Sequence, residues 1–310
     1  MHTIIIVSYK EPKSMVKSVE FVLKQVDLKN FKVIVSDPDF KIEELLKKKF
    51  KGKVEFFLDP GEGKSYALNL LIEQYYSKDK NDIIITTDGD VFLNNGSVDA
   101  IVSMFKDEKI GIACGHPVPL NDKKSCFGFL AHYLFTEMNY NRKKLFKSGK
   151  FFETSGYLLA FRNGVISDFP LEACEDAILP MIFWKKGYKI GYSEKANVNV
   201  LCPQNLKDYL IQRKRNIKGH MNIHCLEISK DFKKGTTFVS EVFRGVRWFF
   251  VYLFKYANSF RTIILIPFPY ILRLYVWFLA VYESKFKKQK YKDGWREEET
   301  PSTSLLDGKN

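Results

Sequence analysis

The chain has 310 residues, of which 45% are hydrophobic, 27% charged and 15% aromatic; that is enough apolar material for a sizeable core and excludes a disordered or fibrous protein. With 49 basic against 36 acidic residues the net charge is +13, so the expected partner is an anion: nucleic acid, a phosphate-rich substrate or a membrane surface. At roughly 150 residues per domain, the length allows one large domain or two modest ones.

The apolar run at the N-terminus is too short for a signal-peptide core and reads as a buried strand over Thr3–Ser8, so no cleaved signal is expected. From Pro12 to Val26, apolar residues recur at Met15, Val16, Val19, Val22, Leu23 and Val26, a helical face opened by a first-turn proline. Strands are then expected at Phe31–Val35, Val54–Leu58, Ile83–Thr87 and Ile110–Cys114, with helices at Ile42–Phe50, Ser65–Tyr75 and Ser97–Phe105 between them. This alternation predicts an α/β fold with a mostly parallel sheet covered by helices, whose ligands sit beyond the carboxyl ends of the strands. Residues 121–150 read as a basic, aromatic helix, followed by a strand over Thr154–Phe161 and a helix from Cys174-Glu175-Asp176 to Lys186. Two short strands, Lys189–Tyr192 and Asn197–Val200, precede a basic helix from Leu206 to His224. Five cysteines stand singly, with no paired spacing, which argues against a disulfide framework or a thiolate zinc site.

Residues 238–286 differ in kind. Between Phe238 and Tyr282, 15 of 45 residues are aromatic, yet Arg244, Arg247, Lys255, Arg261 and Arg273 interrupt the run. The best spanning candidate, Thr262–Tyr282, contains Pro267, Pro269 and Arg273, and a central Arg costs about 2.5 kcal/mol or more in a bilayer. The pattern suits helices lying in a membrane interface, with the cations on anionic headgroups; a single span within 262–282, or a helical subdomain packed on the core, stays open. The domain reading is therefore 1–225 catalytic, 226–292 membrane-interface helices and 293–310 a disordered tail.

Several strings can carry chemistry. Asp88-Gly89-Asp90 follows an apolar strand, and two carboxylates at i and i+2 can share a hard divalent cation while the glycine lets a diphosphate approach. Asp59-Pro60-Gly61-Glu62-Gly63-Lys64-Ser65 invites a phosphate-loop reading, but Leu58 stands where the first Walker glycine belongs, so an ATPase is a minor alternative. Lys64 at a helix start would instead meet a nucleotide or a carboxylate. Glu175-Asp176 could supply a general base, or only a helix-start pair favoured by the macrodipole. Gln212-Arg213-Lys214-Arg215 is a basic helical cluster suited to phosphate, or a solvated surface.

In their order, Ser8-Tyr9-Lys10-Glu11, Asp37, Gly63-Lys64, Ala67-Leu68-Asn69, Asp88-Gly89-Asp90, Thr154-Ser155-Gly156, Glu175-Asp176 and Gln212-x-x-Arg215 form one string. It resembles the family 2 glycosyltransferases of GT-A fold over residues 3–224. The last element is similar to the Gln-x-x-Arg-Trp signature of the branch holding cellulose, chitin and hyaluronan synthases and ceramide glucosyltransferases. Asn216 stands where that branch has Trp, which speaks against an acceptor platform and a processive activity. The resemblance implies that Tyr9, Glu11 and Asp37 surround the nucleotide base and ribose, with Lys64 close by. Asp88 would bind nucleotide and metal, with Asp90 the direct ligand of Mg2+ or Mn2+. It also implies that Asp176 is the base of an inverting displacement and that Glu175, Ser155 and Gly156 line the acceptor side. Gln212, Arg213 and Arg215 would hold the diphosphate or an acceptor phosphate. His220 is a further metal or diphosphate contact, or simply structural.

The expectation is a membrane-associated, inverting transferase on the cytoplasmic face, taking sugar from a UDP-linked donor to a lipid or lipid-linked acceptor. A polyprenyl-phosphate acceptor is the alternative, and a non-catalytic membrane adaptor is a lower one. The basic residues Arg213, Lys214, Arg215 and Lys218 are expected to face the diphosphate. No recognition motif supports nucleic acid.

Overall fold

The computed structural model describes residues 1–171, 174–223, 226–228, 232, 238–257 and 259–287. Among them lie eight strands: β1 (His2–Val7), β2 (Phe31–Asp37), β3 (Glu55–Leu58), β4 (Ile83–Asp88), β5 (Phe92–Leu93), β6 (Ile110–Pro119), β7 (Leu158–Arg162) and β8 (Lys189–Val200). They form one sheet in the order β3-β2-β1-β4-β7-β6-β8-β5. The pairs β1–β2, β1–β4, β2–β3 and β6–β8 are parallel, while β7 and β5 insert antiparallel.

Both faces of this sheet are covered, which is why its strands read as unbroken apolar runs. Ile4, Ile6, Val33, Val35, Ile83 and Ile85 point to one side, onto α1 (Pro12–Leu23) and α2 (Lys41–Phe50). Ile5, Ile34 and Ile84 alternate to the other side, onto α3 (Lys64–Gln74) and α6 (Glu175–Lys185). A short helix α4 (Ser97–Val102) passes into a 3-10 turn at Ser103–Lys106, and the long α5 (Cys126–Lys147) follows β6.

Two expectations change here. The two short strands at 189–200 are one strand, β8: Cys114 pairs with Tyr192 and His116 with Asn197, so the polar residues between them form a bulge, not a loop. β7 begins at Leu158, four residues later than expected, because Thr154 bonds Asp176 and leaves the ladder: its backbone N and Oγ1 both donate to the Asp176 carbonyl, at 3.1 and 2.8 Å.

The chain then continues through α7 (Leu206–Ile223), α8 (Phe238–Lys255), α9 (Phe260–Leu265) and α10 (Pro267–Lys285). A third core joins Leu130, Tyr133 and Leu134 of α5, Tyr209 and Ile217 of α7, Trp248 and Tyr252 of α8, and Val276 and Trp277 of α10. Gly245 allows the close approach of α8 and α10, since a Cβ there would stand 2.8 Å from the Tyr270 ring. Phe260–Lys285 is the segment long and apolar enough to cross a membrane among the described residues, yet α10 is packed along α5, α7 and α8. The tail at 293–310 lies outside the described residues.

Candidate active site

The carboxyl ends of β1 and β4 open into a cavity of about 1070 Å³, where the strand order places ligands in an open α/β sheet. Its wall is built from the Ser8–Tyr9 turn, the Asp59–Lys64 loop, Asp88-Gly89-Asp90, the 153–157 loop, the start of α6 and one face of α7. It continues between α5 and the C-terminal helices as far as Arg244, Arg273 and Trp277.

Lys64 is the first residue of α3 and stands at the centre. Its Nζ lies 2.6 Å from Asp88 Oδ1, 2.7 Å from Glu175 Oε1 and 3.5 Å from the Gly156 carbonyl. Burial alone would lower the lysine pKa, but the two carboxylates outweigh it and hold Lys64 as a cation well above its ordinary value. Burial raises Asp88 despite the pull of Lys64. Asp90 is pushed up to about 7 by burial and by the charge of Asp88. Gly156 leaves the space this network needs: a Cβ there would fall 2.7 Å from Glu175 Oε1. Gly89 also lines the cavity, and its small size has a packing use. A Cβ at Gly89 would strike Ser8 at 2.9 Å, so its small size lets the Asp88–Asp90 turn press against the end of β1.

Asp176 opens α6 beside Glu175, where the helix dipole favours negative charge. Its Oδ2 accepts from Gly156 N at 3.4 Å. Burial first, and the neighbouring Glu175 charge second, push Asp176 up to about 6. A carboxylate so shifted is ionised near neutrality and more basic than an exposed one, which suits a general base.

Tyr9, Glu11, Lys64, Asp88, Asp90, Ser155, Gly156, Glu175, Asp176, Gln212, Arg213 and Arg215 all line this one cavity. Asp37 does not. It is fully buried behind the wall and accepts from Lys10 N at 3.0 Å and Asp39 N at 2.8 Å. Its carboxylate thereby holds Lys10 in a left-handed conformation, φ 54°, so it shapes the Tyr9–Lys10 turn. Asp59, in the loop after β3, lines the wall instead. On α7, Lys214 and Lys218 turn away from the cavity and pair with Glu283 of α10 at 2.6 and 2.8 Å. Residues four apart share a helix face, and this face is the one against α10. His220 reaches the cavity with its Nδ1 3.5 Å from Glu153 Oε1.

Four of the cations of the C-terminal helices also have partners within the protein. Arg273 meets the buried Glu137 of α5 through Nη2–Oε2 at 2.9 Å and Nη1–Oε1 at 3.4 Å. Arg244 lies 3.8 Å from the same carboxylate, Lys255 stands over the Tyr140 ring at 5.0 Å, and Arg261 donates to the Lys124 carbonyl. Arg273 is drawn inward because burying Glu137 requires a paired positive charge, whereas Arg244, Lys255 and Arg261 keep exposed surface beside these contacts. Glu137, Arg142, Arg244 and Arg273 were not legible as site residues, since nothing in a helical repeat distinguishes a cavity-facing polar residue from a solvated one. Asp59 could have been found by the rule that residues just after a strand line the site.

The donor set suits a hard divalent cation. Asp88 and Asp90 supply oxygen ligands, and the strain of crowding two buried acids beside Glu175 would be relieved by added positive charge. Among the described residues no cluster of three His, Cys, Asp or Glu side chains forms a complete metal cage. The set thus fits Mg2+ or Mn2+ completed by substrate oxygens and water, the usual habit of such ions at phosphates.

No curated protein matches the chain. Among solved structures, the crystal structure of S. aureus TarS 1-349 in complex with UDP-GlcNAc is similar at 13% identity and TM-score 0.46, covering 94% of this chain and 93% of that one. That of S. aureus TarS aligns at 14% identity and TM-score 0.46, over 91% of this chain and 55% of that one. The sequence itself gives the firmer assignment. The model for glycosyl transferase family 2 matches residues 3–169, from β1 through the Asp88–Asp90 turn to the loop after β7, so the chain belongs to that family and is a glycosyltransferase with its GT-A-type α/β fold.

Proposed function

We propose that the protein moves a sugar from a nucleotide-sugar donor, UDP-linked, to a hydroxyl of a lipid or lipid-linked acceptor, with inversion at the anomeric carbon. The observation that carries this reading is the convergence of Lys64, Asp88, Asp90, Glu175 and Asp176 in one cavity at the strand ends. Tyr9, Glu11 and Asp59 would flank the base and ribose. Asp88 and Asp90 would hold Mg2+ or Mn2+, which when bound neutralises the diphosphate leaving group. Arg215 and Gln212, with Arg213, offer forked donors to the diphosphate. Asp176 takes the proton of the acceptor hydroxyl as the acceptor oxygen bonds the anomeric carbon and the bond to the diphosphate breaks. Lys64, bonded to both Asp88 and Glu175, would hold these two acids in place beside the base, and Glu175, Ser155 and Gly156 would line the acceptor side.

The Gln212-x-x-Arg215 pair on the cavity wall supports kinship with the Gln-x-x-Arg-Trp branch. Asn216, also on that wall, provides no aromatic platform, which supports a single transfer over polymer growth. A base at Asp176 favours a hydroxyl acceptor, because a phosphate acceptor is already ionised and needs none.

The lipid part rests on the outer face of the C-terminal helices. Val239, Phe243, Val246, Phe250 and Phe254 recur at helical spacing on α8 and are exposed, Phe254 by 83%. Ile271, Tyr275, Phe278 and Tyr282 are likewise exposed at helical spacing on α10. So large an apolar patch marks an interaction surface, and with the opposite face of α10 held on α5 and α7, an in-plane membrane position fits better than a span. On this reading residues 1–225 are the catalytic domain and 226–292 its docking extension.

The test is a panel of nucleotide sugars with the full chain, in Mn2+ and in chelator, with and without vesicles containing anionic lipid. Release of UDP that requires the metal is expected. Metal-independent release would overturn the metal role of Asp88 and Asp90, and preference for a non-uridine donor would overturn the donor assignment.

A further inference from the structure

Arg142 lies on α5, 92% buried and on the cavity wall, and nothing in the proposed chemistry uses it. Among the described residues no carboxylate pairs with it. Its Nε donates to the Glu153 carbonyl at 3.1 Å and its Nη2 to the Thr154 carbonyl at 2.5 Å. Its Nη1 is buried with no hydrogen-bond partner. A buried guanidinium with an unused donor is a poor stabilising device, since the desolvation is not fully repaid by hydrogen bonds.

The two carbonyls that it grips belong to the loop that holds the proposed base. Thr154 N and Oγ1 both donate to the Asp176 carbonyl, and Gly156 N, two residues on, donates to Asp176 Oδ2. The same Gly156 presents its carbonyl to Lys64 Nζ. Hydrogen bonds therefore run from α5 through the Glu153–Thr154 peptide group to the Asp176 backbone carbonyl, and the same loop, two residues on, sets Gly156 N against the Asp176 carboxylate. We infer that Arg142 is a positioning residue: by clamping Glu153 and Thr154 it fixes the loop that aims Asp176 at the acceptor hydroxyl. The inference rests on the reading of Asp176 as the base.

Such a role predicts losses in turnover without losses in donor binding. Arg142→Met keeps the aliphatic bulk and removes both donors. We expect kcat for transfer to fall about 10- to 100-fold, with the affinity for UDP in Mn2+ within about twofold of the parent. Arg142→Lys, which keeps the charge and can reach one carbonyl, should recover part of the loss. In an Asp176→Asn background the Arg142→Met change should have little further effect, because the two act as a unit. Arg142→Met with kcat within twofold of the parent overturns the inference, as does an equal loss in the Asp176→Asn background. If Arg142→Met lowers the thermal midpoint too far to assay, Arg142→Lys carries the test, and full activity there overturns the inference. Near-normal transfer by Asp176→Asn alone would overturn the base assignment and this inference together. An inactive Asp176→Asn with a fully active Arg142→Met would overturn only this one.

Discussion

The two ends of the cavity hold charge clusters of opposite stoichiometry. At the strand end, the one ammonium of Lys64 serves two carboxylates, Asp88 and Glu175, with Asp90 and Asp176 close by. At the helical end, the one carboxylate of Glu137 serves two guanidiniums, Arg273 and Arg244. The first cluster holds more negative charge than its burial tolerates, and Asp88, Asp90 and Asp176 respond with raised pKa values. Such frustration is useful only where another cation arrives. The second is a tight pair with one further arginine nearby, on helices that also share an apolar core, and its geometry is that of a fastening. A cluster with surplus buried acid is thus a chemical site, and one whose single buried acid is fully compensated is a joint between the α/β fold and the C-terminal helices.

The largest effect should come from the strand end. Asp176→Asn is expected to lower transfer by about 10²- to 10⁴-fold, the range for loss of a general base, while leaving UDP binding intact by calorimetry. A change in affinity of the same size would mean that Asp176 is a binding group, and the contrast between the ends would lose its meaning. At the helical end Arg273→Met should instead act on stability. Breaking a buried pair costs about 3–5 kcal/mol; with Arg244 still 3.8 Å from Glu137 the loss should reach at most that range, readable as a lowered midpoint in denaturant, and the Glu137→Gln/Arg273→Met double variant should regain much of it.

The pH profile sharpens the difference further. Asp176 must be ionised to accept a proton, and its pKa is pushed up to about 6. Log(kcat/KM) should then be flat above that pH and fall with unit slope below it, a limb that disappears in no helical-end variant. The smallest effect concerns the metal-free protein. Asp90 is held near 7 against an ordinary 3.8, so ionising it in the fold is unfavourable: its contribution is harmless at low pH and becomes destabilising as pH rises between those values. Asp90→Asn should accordingly raise the midpoint by about 2 °C or more at pH 8 without metal, have less effect at pH 5, and abolish stabilisation by Mn2+.

The α/β half was legible because each of its elements carries its own signal. Ile4-Ile5-Ile6 alternates between two buried faces, α1 is opened by Pro12, and the carboxylates at Asp88 and Asp90 terminate an apolar strand. Asp37 and Asp59 illustrate the limit. Both follow or end strands, and only the register of β2 against β3, with Asp37 opposite Leu58, decides which carboxylate reaches the cavity. The pairing of Lys214 and Lys218 with Glu283 was equally hidden. A basic run on a helix looks the same whether it meets phosphate or a glutamate about 65 residues later.

The amino-acid sequence by itself determined the alternation of strands and helices, the placing of the acidic turns at strand ends and the aromatic character of the last third. These follow from local periodicity and from the chemistry of adjacent residues. Only the tertiary structure decided that Lys64 would share itself between Asp88 and Glu175, and that Glu137 would take Arg273. It also decided that Arg142 would hold the Asp176 loop. These contacts join residues from about ten to over a hundred positions apart, and the free energy that selects one partner for a buried charge exists only once the surrounding core has excluded water.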